Sequence, residues 1–142
     1  MQVSARNQLS GVISEIREGA VNNEVVLTLA NDEKITTVIT KQSCETLGLK
    51  IGKKAVALIK APWVVIAAAD CPLQFSARNQ FPGKIGKILR GAINSTVHIR
   101  TDKGIDITSI ITNESVDEMR LKEYDPVIAI VKASSVIIAT EK

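Results

Sequence analysis

The stretch SARNQ occurs at Ser4 to Gln8 and again at Ser76 to Gln80, and this recurrence is the visible edge of a duplication covering nearly the whole chain. Sliding Ser4 to Ala67 over Ser76 to Ala139 needs no gap and makes about 25 of the 64 pairs identical, far above chance. GVISEIREGAVN aligns with GKIGKILRGAIN, TTVITKQS with TSIITNES, and ALIKAPWVVIA with AIVKASSVIIA. A chain of this kind is expected to fold as two copies of one small unit. The expected division is a first domain at 1–67, a linker at 68–75 (AADCPLQF) and a second domain at 76–142.

Within each copy the apolar residues recur with period two. NEVVLTL, KITTVIT, KKAVALIKA and WVVIAA read as strands, and SARNQLSGVISEIREG reads as a long bent strand broken at Gly11. A short helix is indicated in KQSCETLGL and in NESVDEMRL, where Ser115 and Glu118 have capping-box spacing. The fold class is therefore all-β with one short helix per repeat. Three strands, a helix and two strands form the order of a five-stranded OB-like barrel, so two such barrels in tandem are expected. A unit of about 64 residues buries too little surface to be comfortable alone, and association between copies and between chains follows.

Composition removes several functional classes. The longest apolar run, Ala61 to Ala69, is far short of the roughly 20 residues a membrane helix needs, and the N-terminus does not read as a secretory signal. No membrane partner is expected, and a cytoplasmic location is. Cys44 and Cys71 lie in unrelated contexts without neighbouring histidines, so no protein side chains are expected to ligate a metal cation. His98, the single histidine, sits in the alternating stretch TVHIR and reads as a strand residue. No nucleophile and base recur together, so no catalytic residues are assigned and the chain is not expected to be an enzyme. With a net charge of +3 and 3% aromatic residues, it does not have the stacking platforms of an OB barrel that binds single-stranded nucleic acid. That function is the alternative, and no nucleic-acid partner is expected.

The polar residues on which the copies agree form a set of donors. Ser4, Arg6, Asn7 and Gln8, then Thr40 and Ser43, then Lys60 have counterparts in Ser76, Arg78, Asn79, Gln80, Thr112, Ser115 and Lys132. Guanidinium, ammonium, hydroxyl, amide and backbone N–H groups donate hydrogen bonds, and no carboxylate recurs beside them. A guest with acceptors only, a small tetrahedral oxyanion, suits such a set. Each residue also has an ordinary structural reading. Thr40 and Ser43 stand where hydroxyls cap a helix. Lys60 and Lys132 read also as solvated strand lysines, Arg6 and Arg78 as partners in strand salt bridges. Trp63, opposite Ser135, reads as a core or interface residue. GAVN and GAIN read as hairpin turns, glycine and asparagine taking positive φ there; their backbone is also a weak second anion site, at Gly19, Val21 and Asn22 and at Gly91, Ile93 and Asn94.

SARNQLSG opening a unit of this length, followed by GAVN, by a threonine and serine spaced as in ITKQS, and by LIKAPWVVIA, resembles the Mop domain of the molybdate-binding molbindins, in their tandem di-Mop form. The resemblance spans both copies. It implies an OB-like barrel per copy, a homotrimer holding six Mop units, and molybdate, or tungstate, bound between neighbouring units for intracellular storage or homeostasis. It implies as ligand residues Ser4, Ala5, Arg6 and Asn7 with Ser76, Ala77, Arg78 and Asn79, Thr40 and Ser43 with Thr112 and Ser115, and Lys60 and Ala61 with Lys132 and Ala133. Pro62 facing Ser134 in the alignment implies pockets that differ between repeats. Related chains join Mop units to a DNA-binding helix-turn-helix or a transport ATPase; no Walker A motif or further domain is read here.

Overall fold

The computed structural model describes residues 2–142. In the first copy, strands β1 (Asn7–Glu18), β2 (Asn22–Thr28) and β3 (Lys34–Thr40) precede helix α1 (Lys41–Thr46), then β4 (Lys54–Ile59) and β5 (Val65–Ala68). The second copy repeats this with β6 (Asn79–Arg90), β7 (Asn94–Thr101), β8 (Asp106–Thr112), α2 (Asn113–Met119), β9 (Pro126–Val131) and β10 (Ile137–Ala139). A 3-10 turn separates the last two strands of each copy, at Ala61–Trp63 and Ala133–Ser135.

The sheets are all antiparallel, with the orders β10-β4-β1-β2-β3 and β5-β9-β6-β7-β8. Each five-stranded sheet thus contains four strands of one copy and the last strand of the other. Val65 to Ala68 pair with Ile130 to Val127, and Ile137 to Ala139 pair with Leu58 to Val56. The 3-10 turn before β10 packs on β3 and the turn before β5 packs on β8, so each sheet curls toward closure against a segment lent by the other copy. Apolar residues from both sheets and both lent segments form one core, including Ile13, Leu27, Ile35, Ile59, Val64, Ile85, Ile99, Ile107, Val131 and Val136. Fully burying each such side chain stabilises by about 1.5–3 kcal/mol, so exchanging the terminal strands makes the two copies one hydrophobic unit.

Local chemistry accounts for the strand and helix ends. The first strand of each copy runs unbroken through its glycine; the register slips between Ile13 and Glu15, and between Ile85 and Lys87. Such a bulge bends a long strand, letting its first half pair with β4 or β9 and its second half with β2 or β7. Gly11 serves close approach instead: a Cβ there would lie 2.5 Å from the Thr28 carbonyl oxygen. The helices are shorter than their apolar spacing suggests, ending before Gly48 (φ 62) and at Arg120 (φ 51), both left-handed. The cap of α2 is Thr112, whose hydroxyl accepts from the Ser115 amide, so the expected Ser115–Glu118 box is displaced one turn toward the N-terminus.

One other expectation changes, the positive φ of the turn residues, while His98 is the strand residue it reads as. Gly19, Asn22, Gly91 and Asn94 do not have positive φ. The GAIN turn closes through the Gly91 amide donating to the Asn94 carbonyl at 2.8 Å, and a Cβ on Gly91 would lie 2.7 Å from that oxygen. Trp63 is outside the core, with 42% of its surface exposed and the Lys60 Nζ 5.7 Å from its ring centroid. His98 lies on β7, its Nδ1 3.2 Å from Thr108 Oγ1.

Candidate oxyanion-binding site

SARNQ divides into two functions. Asn7 and Asn79 are buried and act as substitute peptide groups across the sheets. Asn79 Oδ1 accepts from the Thr36 amide at 2.7 Å and its Nδ2 donates to the Thr36 carbonyl at 2.7 Å; Asn7 makes the same pair with Thr108, at 2.7 and 2.8 Å. Gln8 Nε2 donates to the carbonyls of Ala5 and Val3, and Gln80 Nε2 to those of Ala77 and Phe75. The amides hold the segment in place, while Ser4, Arg6, Ser76 and Arg78 are left on the surface beside Ala5, which is buried, and Ala77, which is half-buried.

The hydroxyl pairs cap and present donors at once. Thr40 Oγ1 accepts from the Ser43 amide at 3.0 Å and donates to Ser43 Oγ at 2.8 Å; Thr112 and Ser115 repeat this at 3.1 and 2.9 Å. Because the threonine proton is spent on the serine oxygen, the serine proton is left to point outward. Lys60 and Lys132 are exposed at the starts of the two 3-10 turns, ahead of the buried Ala61 and Ala133.

The strand exchange sorts these groups into two composite sets. Asn79 pairs with Val131, so Arg78 and Lys132 leave neighbouring strand ends together. The Asn79–Thr36 bonds then lay this second-copy segment along β3, toward Thr40 and Ser43 of the first copy. Thr40, Ser43 and Asn22 line an open groove of about 470 Å³ with Ser134, the residue after Lys132 and Ala133. By the same relations Asn7 pairs with Ile59 and bonds to Thr108, which lays Ser4, Ala5, Arg6, Lys60 and Ala61 toward Thr112 and Ser115. Arg78 itself lines a separate groove, with Thr36, Asn79 and Lys103. The GAVN and GAIN turns leave Val21 and Ile93 exposed, at 72% and 75%, while their carbonyls accept from the Lys41 and Asn113 amides at the helix starts, and Asn22 borders the groove of Thr40 and Ser43.

One residue of the site escapes comparison of the copies. Glu24 on β2 receives Arg78 Nη1 at 2.6 Å and Nη2 at 2.8 Å, with Arg17 Nη1 at 3.8 Å. The Arg78 hydrogen bond holds its carboxyl below the ordinary glutamate value; partial burial opposes this, and the charges of Arg78 and Arg17 add to it. Its second-copy counterpart is Thr96, so a filter for recurring polar residues passes over it. Among the described residues no cluster of three or more His, Cys, Asp or Glu could hold a metal ion, and no helix is long and apolar enough to cross a membrane.

Two OB-like sheets, each completed by a strand of the other copy and each carrying the same recurring donors, define a tandem-repeat class of β protein. The sequence profile of the TOBE domain matches residues 3–66 and again 76–138, and the chain belongs to that family. It is 37% identical over 142 residues to the molybdenum transport protein ModE of Herbaspirillum seropedicae, covering 100% of this chain and 53% of that protein. It is also 37% identical to the molybdenum-pterin-binding protein MopA of Rhodobacter capsulatus, covering 98% and 52%. The chain thus spans about half the length of the curated relatives it matches. A crystal structure of the cytoplasmic molybdate-binding protein ModG, with molybdate bound, superposes with a TM-score of 0.93 at 40% identity, covering 99% of this chain and 100% of that one. The resemblance to Mop-domain proteins, and the fold it implied, are met.

Proposed function

We propose that this chain is a non-catalytic molybdate-binding protein that holds the intact dianion reversibly, for storage or buffering of molybdenum in the cytoplasm. The observation that supports this reading is the cross-copy bonding of Asn79 to Thr36 and of Asn7 to Thr108, which ties the Ser-Ala-Arg segment of each copy to the strand of the other that runs into its Thr-x-x-Ser hydroxyls. Arginine and lysine supply charge, the serine hydroxyls and the alanine backbone amides supply directed donors, and no protein ligand to molybdenum is needed because its four oxygens already surround it. The donor sets face outward on a single chain, so we propose that a homotrimer closes them, each set meeting the surface of a neighbour. The sequence units 1–67 and 76–142, joined by 68–75, are then two Mop domains that fold as a pair. Tungstate, with the same charge and shape, is a second guest.

Equilibrium dialysis against molybdate with elemental analysis tests the reading. Retention of molybdenum at micromolar free anion is the expected result, and no retention ends it. Native mass spectrometry, with and without molybdate, tests the trimer and reports bound anions per assembly.

A further inference from the structure

The donor sets differ by a charge that the duplication does not share. The Glu24 carboxylate takes both terminal nitrogens of Arg78, at 2.6 and 2.8 Å, and only 20% of its side chain is exposed. Arg6 makes no salt bridge among the described residues, and the position matching Glu24 in the other copy is the neutral Thr96. Arg17, the second cation at Glu24, is replaced by Leu89, so the pair is absent as a unit from the second copy.

A carboxylate gripping a guanidinium through both terminal nitrogens uses the same parallel donors that a tetrahedral oxyanion takes. We infer that Glu24 is an internal occupant of the Arg78 donor set, giving the chain two unequal classes of oxyanion pocket. The Arg6 class admits the dianion directly. In the Arg78 class the dianion must displace the Glu24 carboxylate and then sit near a like charge. This rests on the molybdate-binding reading above and deepens it by naming the residue that separates the classes. Two affinities widen the range of free anion over which one protein buffers. With the Arg78 side chain half exposed the pair is a weak one, so the handicap of the Arg78 class is about two- to fivefold.

Isothermal titration of the full chain with sodium molybdate tests this. Arg6→Ala isolates the Arg78 class; adding Glu24→Thr, the second copy's own residue, should tighten binding about two- to fivefold. Arg78→Ala isolates the Arg6 class, where Thr96→Glu should weaken binding by a similar factor and Glu24→Thr should leave it unchanged. Unchanged or weaker binding on adding Glu24→Thr to Arg6→Ala overturns the inference, since Glu24 would then be idle or would orient Arg78. An effect of Glu24→Thr in the Arg78→Ala background also overturns it, because Glu24 would be acting through the fold. Wild-type protein that takes up no molybdate removes the reading beneath both; wild-type protein that binds while these variants do not move removes only the inference.

Discussion

Thr37 Oγ1 donates to the carbonyl of Val136 at 2.7 Å, joining residues 99 positions apart, with the Thr37 side chain buried. Ser109 makes the matching bond to Val64, also at 2.7 Å. These two hydroxyls fasten each lent segment at the point where it enters the other copy's sheet.

Thr37→Val keeps the side-chain shape and strands the Val136 carbonyl without a donor. A loss of about 1–3 kcal/mol is expected, measured by urea unfolding. Hydrogen exchange should show β10 opening more than β2, because the lost bond holds the lent segment and no internal strand pair. Uniform loss of protection across the sheet would contradict this.

Asn79→Asp tests whether the SARNQ asparagine braces the fold or contacts the anion. A carboxylate cannot donate to the Thr36 carbonyl, so the variant should lose about 1–3 kcal/mol of stability with molybdate absent throughout. A fully stable variant that had only lost affinity would reassign Asn79 to the ligand.

Serine and threonine of the cap separate by substitution. Thr40→Val removes the acceptor of the Ser43 amide and should cost about 0.5–2 kcal/mol as well as affinity. Ser43→Ala leaves that amide and its acceptor in place, so it should weaken molybdate binding with the thermal midpoint nearly unchanged. Equal loss of stability in both variants would make the hydroxyl pair purely structural.

Gly11→Ala places a methyl 2.5 Å from the Thr28 carbonyl oxygen, which is backbone and cannot swing aside. Overpacking of this kind typically costs about 1–3 kcal/mol, read as a lower urea midpoint. A neutral result would show that β1 and β2 separate at that point without penalty.

Acid should remove what Glu24 contributes to stability. Its carboxyl titrates below the ordinary value of 4.5, so the Arg78 and Arg17 interactions stabilise the fold above that value and are lost as pH falls through the depressed one. The stability difference between wild type and Glu24→Thr, from unfolding curves at stepped pH, should be present at pH 7 and shrink below pH 4. A difference that grew on acidification would have the wrong sign.

Much of this protein was readable in its residues. Period-two runs such as KITTVIT place β-branched side chains alternately on core and solvent, which is a local property of the chain, and Thr40 and Thr112 cap helices through atoms three residues away. The recurrence of Arg, Thr, Ser and Lys marked the donor set for the same reason: each copy repeats it. Tertiary structure alone decided which copy completes which sheet. VVIA and VIIA are nearly the same strand and satisfy either sheet equally, so the choice is made by where the chain leaves the 3-10 turn and by the Thr37 and Ser109 bonds that meet it there. Likewise, Asn79 is polar and repeated, and its partner in the other copy is not legible from that recurrence. Only the fold, by carrying Thr36 to it from 43 residues away, turns its amide inward and leaves Arg78 to meet Glu24 outside.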